Sequence, residues 1–418
     1  MGKIKFSSLF WHAIHAFIGT VANRLFFISL SALAAKSLLP SDFQNFTAIL
    51  LFANTVVASL GFSLGMAFLK RTNEHNIRAE NPQAERNISS LFLASVATIL
   101  LFVGIGTIFS DTISQVLLSS STLFALYLIL ISVFGVAATA ASNALVAIER
   151  FKEISNIKTK TTVFFLVLCL TGYAFPQSQH RLTLFLILCA AYNLTLFALY
   201  IRKYVEVGEK FRIFSPSLSD RPGIISIGLN AFLSNAVYSV SISIVFLLIR
   251  DVNPGSNDAT MIAVAFTWYN SIVFIPQIMS SVLLPRMLRS GASGFSEHLR
   301  TAAVVNTGTV FVSIAVLYLF SSTLDSIYEA QLPKLSELVL AMSISALPNA
   351  LCKITGQYFL VVGKMHLGFW FNLGWALAFT GTSLYFYESY SVFGIAYALF
   401  ISYCLLFLAQ LFYTGSRR

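Results

Sequence analysis

Acidic residues are scarce in this chain, and they are missing where an ion carrier would use them. Only 17 Asp and Glu occur in 418 residues, and charged residues of both signs make up 11%. None of those acids falls in the interior of a long apolar segment. Proton and sodium carriers commonly hold their ion on an intramembrane carboxylate. Coupling here would therefore need a histidine, backbone carbonyls, or no ion at all. Cysteine is equally sparse: Cys169, Cys189, Cys352 and Cys404 lie inside apolar segments without paired metal-ligand spacing. That excludes a disulfide framework and leaves small packing residues. The chain also lacks a His/Glu zinc pattern, a Gly-rich phosphate loop and a nucleophile elbow. No catalytic residue, metal or cofactor is expected, and the chain is not read as an enzyme.

What is abundant is apolar surface. The composition is 57% hydrophobic and the mean hydropathy is +0.78, far outside soluble norms. Segments of about 20 apolar residues span a bilayer. Twelve are expected, over 10–34, 43–69, 88–109, 120–148, 161–176, 182–201, 223–249, 259–284, 301–320, 335–362, 367–387 and 391–413. The fold class is therefore an all-α polytopic membrane protein. The first segment carries Lys3 and Lys5 ahead of it and Ala32-Leu33-Ala34 near its end, like a signal peptide. Its apolar run is too long for one and is interrupted by Arg24, so it is read as a retained helix.

Positive charge sets the orientation. If Lys3 and Lys5 start in the cytoplasm, the inner segments collect Lys70, Arg71, Arg78, Arg86, Arg150, Lys152, Lys158, Lys160, Arg202, Lys203, Lys210, Arg212 and Arg221. Arg286, Arg289, Arg300, Lys364, Arg417 and Arg418 follow on the same side. The opposite face keeps only Lys36, Arg181, Arg250 and Lys334. Such a split is the positive-inside pattern and puts both termini in the cytoplasm. The net charge of +10 is thus a topology signal facing anionic lipid headgroups, and no nucleic-acid partner is expected.

A weak repeat divides the chain. Pro40 and Pro254, and likewise Arg150 and Lys364, are 214 residues apart, and Arg71 and Arg286 are 215 apart. This suggests two parallel six-helix units, 1–201 and 223–418, joined by a polar cytoplasmic connector at 202–222. Duplicated halves with short loops suit alternating access. They leave little room for the outer domain that a membrane glycosyltransferase or sugar polymerase would need.

The remaining two cations are the sharpest signal. Arg24 and Lys353 sit mid-segment, where a charge costs about 2.5–3.5 kcal/mol even on a lenient insertion scale. Holding an anion within the membrane is the use that fits. Around Lys353, Ser345, Asn349 and Gln357 recur every four residues, beside Pro348, which should kink the helix. On the first segment His12, His15, Gly19 and Asn23 share about 80° of arc. The histidines are candidates for proton coupling. Asn230, Ser234 and Tyr238 on the seventh segment, and Asn270 and Gln277 on the eighth, are further candidates for lining a cavity. Amides and hydroxyls also glue helices together in lipid, so each has a purely structural reading too.

Three stretches carry a family resemblance. Leu38-Leu39-Pro40-Ser41-Asp42-Phe43 is similar to a Leu-Gly-Pro-x-x-Phe/Tyr-Gly turn after the first helix, with Leu39 and Gln44 where glycine is frequent. Ala265-Phe266-Thr267-Trp268-Tyr269 runs on to Ile275-Pro276 and Leu284-Pro285-Arg286, and Val362-Gly363-Lys364 closes the tenth segment. Together they resemble the polysaccharide flippases of the multidrug/oligosaccharidyl-lipid/polysaccharide exporter (MOP) superfamily. The resemblance implies a MATE-like pair of six-helix lobes around a central cavity in a bacterial inner membrane. It also implies a lipid-linked oligosaccharide substrate, an O-antigen or related repeat unit on undecaprenyl diphosphate, moved from the inner to the outer leaflet. Membrane lipids, and a polysaccharide polymerase or other assembly protein, are the partners it suggests. On this reading Arg24 and Lys353 pair with the diphosphate from opposing lobes. A multidrug efflux carrier of the same superfamily is the alternative. A lipid II flippase would carry similar cargo, but that family typically has two additional helices.

Overall fold

The computed structural model describes residues 6–61, 122–173, 180–206, 221–253, 256–290, 295–362 and 364–415. The third expected span, 88–109, lies outside them, as does most of the connector. The described residues are helical throughout, with no strand among them.

Helix α1 runs Phe6–Ser37 and α2 Pro40–Val56, extended by a π-helical turn over Val57–Gly61. Then come α3 (Thr122–Ala147), α4 (Phe151–Tyr173), α5 (Arg181–Glu206), α6 (Arg221–Val252), α7 (Asp258–Ser290) and α8 (Phe295–Leu319). After the short α9 (Ser321–Tyr328) follow α10 (Leu335–Ile344), α11 (Ala346–Val361), α12 (Met365–Tyr390) and α13 (Val392–Gly415). Eight of these are long and apolar enough to cross a membrane, nine when α10 and α11 are taken as one bent span. Every acid on the described long helices sits near a helix end: Asp42, Glu153, Asp258, Glu297 and Glu337 near first turns, Glu206, Asp251 and Glu388 near last ones.

Local chemistry explains the breaks. Leu39 is extended (φ −65°, ψ 155°), as a residue before proline must be, and Pro40 opens α2 where its missing N–H costs nothing. The tenth expected span is broken rather than merely bent. α10 and α11 meet at Ser345 with a 43° bend. Pro348 has no N–H to give the carbonyl of Ile344, so the ladder is interrupted one turn before the ring.

The end of α3 closes in a Schellman arrangement: Arg150 N–H donates to the Leu145 carbonyl and Glu149 N–H to Val146. Glu149 occupies the left-handed position, at φ 58°. The same long closing bond recurs at Lys364, whose N–H donates to Phe359, 214 residues later. The residue equivalent to Glu149 is then Gly363, the usual choice for such a turn.

One expected boundary is corrected. The fifth span, placed at 161–176, begins at Phe151. The run Lys-Glu-Ile-Ser-Asn-Ile-Lys-Thr-Lys reads as loop because it is polar. Packing against α1 overrides that composition: Phe151, Ser155, Thr162, Phe165 and Cys169 form a buried stripe with Lys158 in line, at alternating intervals of three and four.

Helices α1 to α5 pack mainly among themselves, α1 on α4 and α3 on α5. Helices α6 to α13 form a second set, with α12 on α6 and α13, and α7 on α8 and α11. The sets meet where α1, α2 and the π turn face α6, α7 and α9.

Candidate anion-binding site

Among the described residues Arg24 has no acidic partner. Its side chain is half-buried, and its Nε is buried without a hydrogen-bond acceptor. It stands 13 residues, or about 20 Å, from the Ser37 end of α1. Two further cations lie on other helices, Lys353 on α11 and Lys158 on α4. Lys158 lies along α1. A Cβ added to Gly19 would stand 2.8 Å from the Ser155 Cα and 3.5 Å from the Lys158 Cδ, so only glycine lets α4 approach this closely. Among the described residues none of the three cations has a carboxylate partner. These are three cations without an acid, two in the first helix set and one in the second, and each is a charge that an anion could neutralise.

Lys158, which the sequence places among the cytoplasmic charges, lies against α1 beside Gly19. A signal was available: Lys158 falls in register with a buried stripe, so it points inward rather than toward water.

The polar stripes have a different fate. Asn23 accepts a 2.8 Å hydrogen bond from the Tyr192 hydroxyl, which also lies 3.1 Å from Thr162 and stacks on Phe26 at 4.0 Å. The face of α1 bearing His12, Gly19 and Asn23 is thus a helix–helix contact. His12 lies 3.9 Å from Glu149 and packs its ring near Phe151, and His15 lies near Trp11. Asn349 is buried and donates to the Tyr269 hydroxyl at 2.8 Å, while Ser345 is buried and donates to the Met342 carbonyl. Ser234 accepts a bond from Asn372 and Tyr238 accepts one from Tyr403, both within the second helix set. Asn230 and Asn270 are half-buried on α6 and α7. The side chains of Gln277 and Gln357 lie outside those described.

Far from the cations, the Ser37 end of α1 is tied to the second set. Gln331, in the turn after α9, donates its Nε2 to the carbonyls of Ala35 (2.6 Å) and Leu38 (3.2 Å). Asn257 donates to the Gln331 carbonyl and accepts from Gln44, each at 3.0 Å. The Tyr328 hydroxyl donates to Ser31 at 3.1 Å, and Thr55 and Ser243 pair at 2.8 Å. Halfway down, Phe17 stacks on Phe274 at 5.9 Å between centroids.

Helix order, the broken tenth span and the pairing of two helix sets define the class: a polytopic α-helical membrane protein with a transporter fold. Solved structures make the fold specific. A multidrug resistance MATE family transporter of the MOP superfamily, in an outward-facing conformation, superposes with a TM-score of 0.72 at 14% identity, over 98% of this chain and 94% of that one. A Vibrio cholerae MATE transporter reaches 0.77 at 14% identity, over 97% and 95%. A MOP superfamily transporter from Pyrococcus furiosus, described as having a binding pocket of reversed polarity that suggests a different function, reaches 0.73 at 12%, over 98% and 95%. The chain thus shares the twelve-helix fold of MATE transporters. No family model matches it, and no curated protein is similar to it in sequence.

Proposed function

We propose that the protein translocates a lipid-linked oligosaccharide, an undecaprenyl-diphosphate-borne polysaccharide repeat unit, from the inner to the outer leaflet of a bacterial inner membrane by alternating access. The observation that supports this reading is that Arg24 and Lys353, one in each helix set and each within a long apolar segment, have no carboxylate partner among the described residues. A diphosphate crossing hydrocarbon needs cationic, hydrogen-bonding partners to replace water. With both termini in the cytoplasm, the Ser37 end of α1 faces outward. The bonds around Gln331 then close the outer side, and the cations await substrate from within. His12, beside Glu149 near the inner end of α1, is the histidine best placed to exchange a proton.

Multidrug efflux is the second reading, supported by the fold of a multidrug resistance transporter. Organic cations would meet three positive charges and, on the described spans, no interior acid. The deciding experiment deletes the gene and complements it with wild type or Lys353→Ala. The flippase reading expects lost surface polymer, with lipid-linked repeat units held on the cytoplasmic side, restored only by wild type. Normal polymer in the deletion strain, with raised sensitivity to organic cations, would replace it by efflux.

A further inference from the structure

We infer that the exposed face of α4 draws the headgroup of an anionic phospholipid below the general headgroup plane of the inner leaflet and holds it at Lys160. The inference is independent of the substrate the protein carries. It starts from a stripe that hydropathy assigns to a cytoplasmic loop. On α4 the exposed face carries Lys152, Asn156 and Lys160 at intervals of four, and then Val163, Val167 and Leu170. At 100° per residue this face is centred opposite the buried stripe, on the side of α4 turned away from α1 and α5. Among the described residues neither lysine has a carboxylate partner.

Neighbouring α5 supplies the depth. The two helices run antiparallel in a register fixed at two points: the Thr162 and Tyr192 hydroxyls lie 3.1 Å apart, and a Cβ on Gly172 would stand 2.6 Å from the Leu184 Cδ2. Lys152 is therefore level with the last turn of α5, where exposed Arg202 and half-buried Lys203 pair with Glu206 as headgroup-layer charges do. Lys160 lies eight residues farther in, or about 12 Å. Its four-carbon stem covers about half of that distance. At the level of Lys160, α5 exposes Leu194. From Val163 to the Tyr173 end, the apolar part of the α4 face rises only about 15 Å, against about 30 Å of hydrocarbon in a bilayer. A face this short is met by thinning the bilayer, and a lysine at this depth needs a counter-charge. A lipid phosphodiester drawn down to Lys160 answers both demands. It neutralises the ammonium, accepts from the Asn156 amide one turn away, and starts its acyl chains where the apolar face starts. Phosphatidylglycerol fits, because no cation within its own headgroup cancels the phosphodiester charge, as choline does in phosphatidylcholine.

The test titrates full-length protein in detergent with phosphatidylglycerol or phosphatidylcholine and reads the first lipid bound by native mass spectrometry. Wild type should hold phosphatidylglycerol about fivefold tighter or more, the scale of one lysine acting on an anionic headgroup. Lys160→Gln should lose most of that preference, Lys160→Arg should keep it, and Arg202→Gln, in the headgroup layer of α5, should leave it unchanged. Equal binding of the two lipids by wild type overturns the proposal without any variant having to fold. So does a loss in Arg202→Gln equal to that in Lys160→Gln, which would mark general charge attraction. Displacement of the lipid by dissolved glycerol phosphate would make this a water-facing anion site and also overturn it. A second readout tests the depth alone, in nanodiscs of phosphatidylcholine with short, medium and long acyl chains. Lys160→Leu extends the apolar face by about one turn, so the chain length giving the highest unfolding temperature should move upward from that of wild type. An unchanged optimum would place Lys160 at the headgroup plane and remove the ground of the inference.

Discussion

At the scale of single residues, charge and hydrogen-bonding capacity behave differently in this molecule. The amides and hydroxyls that look like a cavity lining are largely used by neighbouring helices. Asn23 with Tyr192 and Asn349 with Tyr269 are buried pairs. Tyr192→Phe leaves Asn23 without its donor and should destabilise the protein by about 1 kcal/mol, read as a lower unfolding temperature in detergent, with transport retained. An unchanged unfolding temperature would remove the view that this stripe is glue. The cations should give the opposite pattern. Arg24→Ala and Lys353→Ala should each abolish polymer export while leaving membrane insertion intact, because an intramembrane charge is removed rather than a packing contact. Lys353→Arg should retain part of the activity, and equal loss in Arg and Ala variants would point to shape instead of charge.

Helices carry the next layer of information, and here the reach of sequence reasoning can be judged. Hydropathy locates the spans because lipid tolerates only helices with satisfied backbones, and Pro40 and Pro348 mark real breaks. The start of α4 escapes, since a run with three lysines is indistinguishable from a loop until α1 is known to cover it. Lys158 becomes legible only with that start: its register with the buried stripe is a signal once α4 is extended back to Phe151. The stripe on α1 is legible as a stripe, but periodicity alone does not say whether a polar face meets water or another helix. The elbow between α3 and α4 offers a test of local strain. Glu149 holds a left-handed position, at φ 58°, where the sequence of the equivalent segment has Gly363. Glu149→Gly should gain roughly 0.5–1 kcal/mol of stability, measured as a raised unfolding temperature. A loss instead would show that the contact with His12 outweighs the backbone cost.

Taken as a whole molecule, the protein is tied at one end and charged in the middle. The bonds centred on Gln331 and Asn257 join the two helix sets at the Ser37 end of α1, and none could be anticipated from spacing, since their partners lie more than 70 residues apart. Gln331→Ala removes two of these bonds and should shift the population toward opening at that end. A cysteine introduced at the buried Ala35 reports on this once the half-buried Cys404 is changed to serine, because Cys169, Cys189 and Cys352 are themselves buried. Labelling by a membrane-impermeant maleimide should be several-fold faster with Gln331→Ala than without it, about the change expected from losing roughly 1 kcal/mol of closing free energy. Equal rates would mean that the apolar contacts, such as Phe17 on Phe274, hold the halves together.

Among the described residues the bonds of that closure are made by neutral groups: three primary amides, backbone carbonyls, and hydroxyl pairs. Ionic strength and external acidity act on charged groups and leave such bonds nearly untouched. Changes of salt or acidity around the Ser37 end of α1 should therefore leave this seal equally firm.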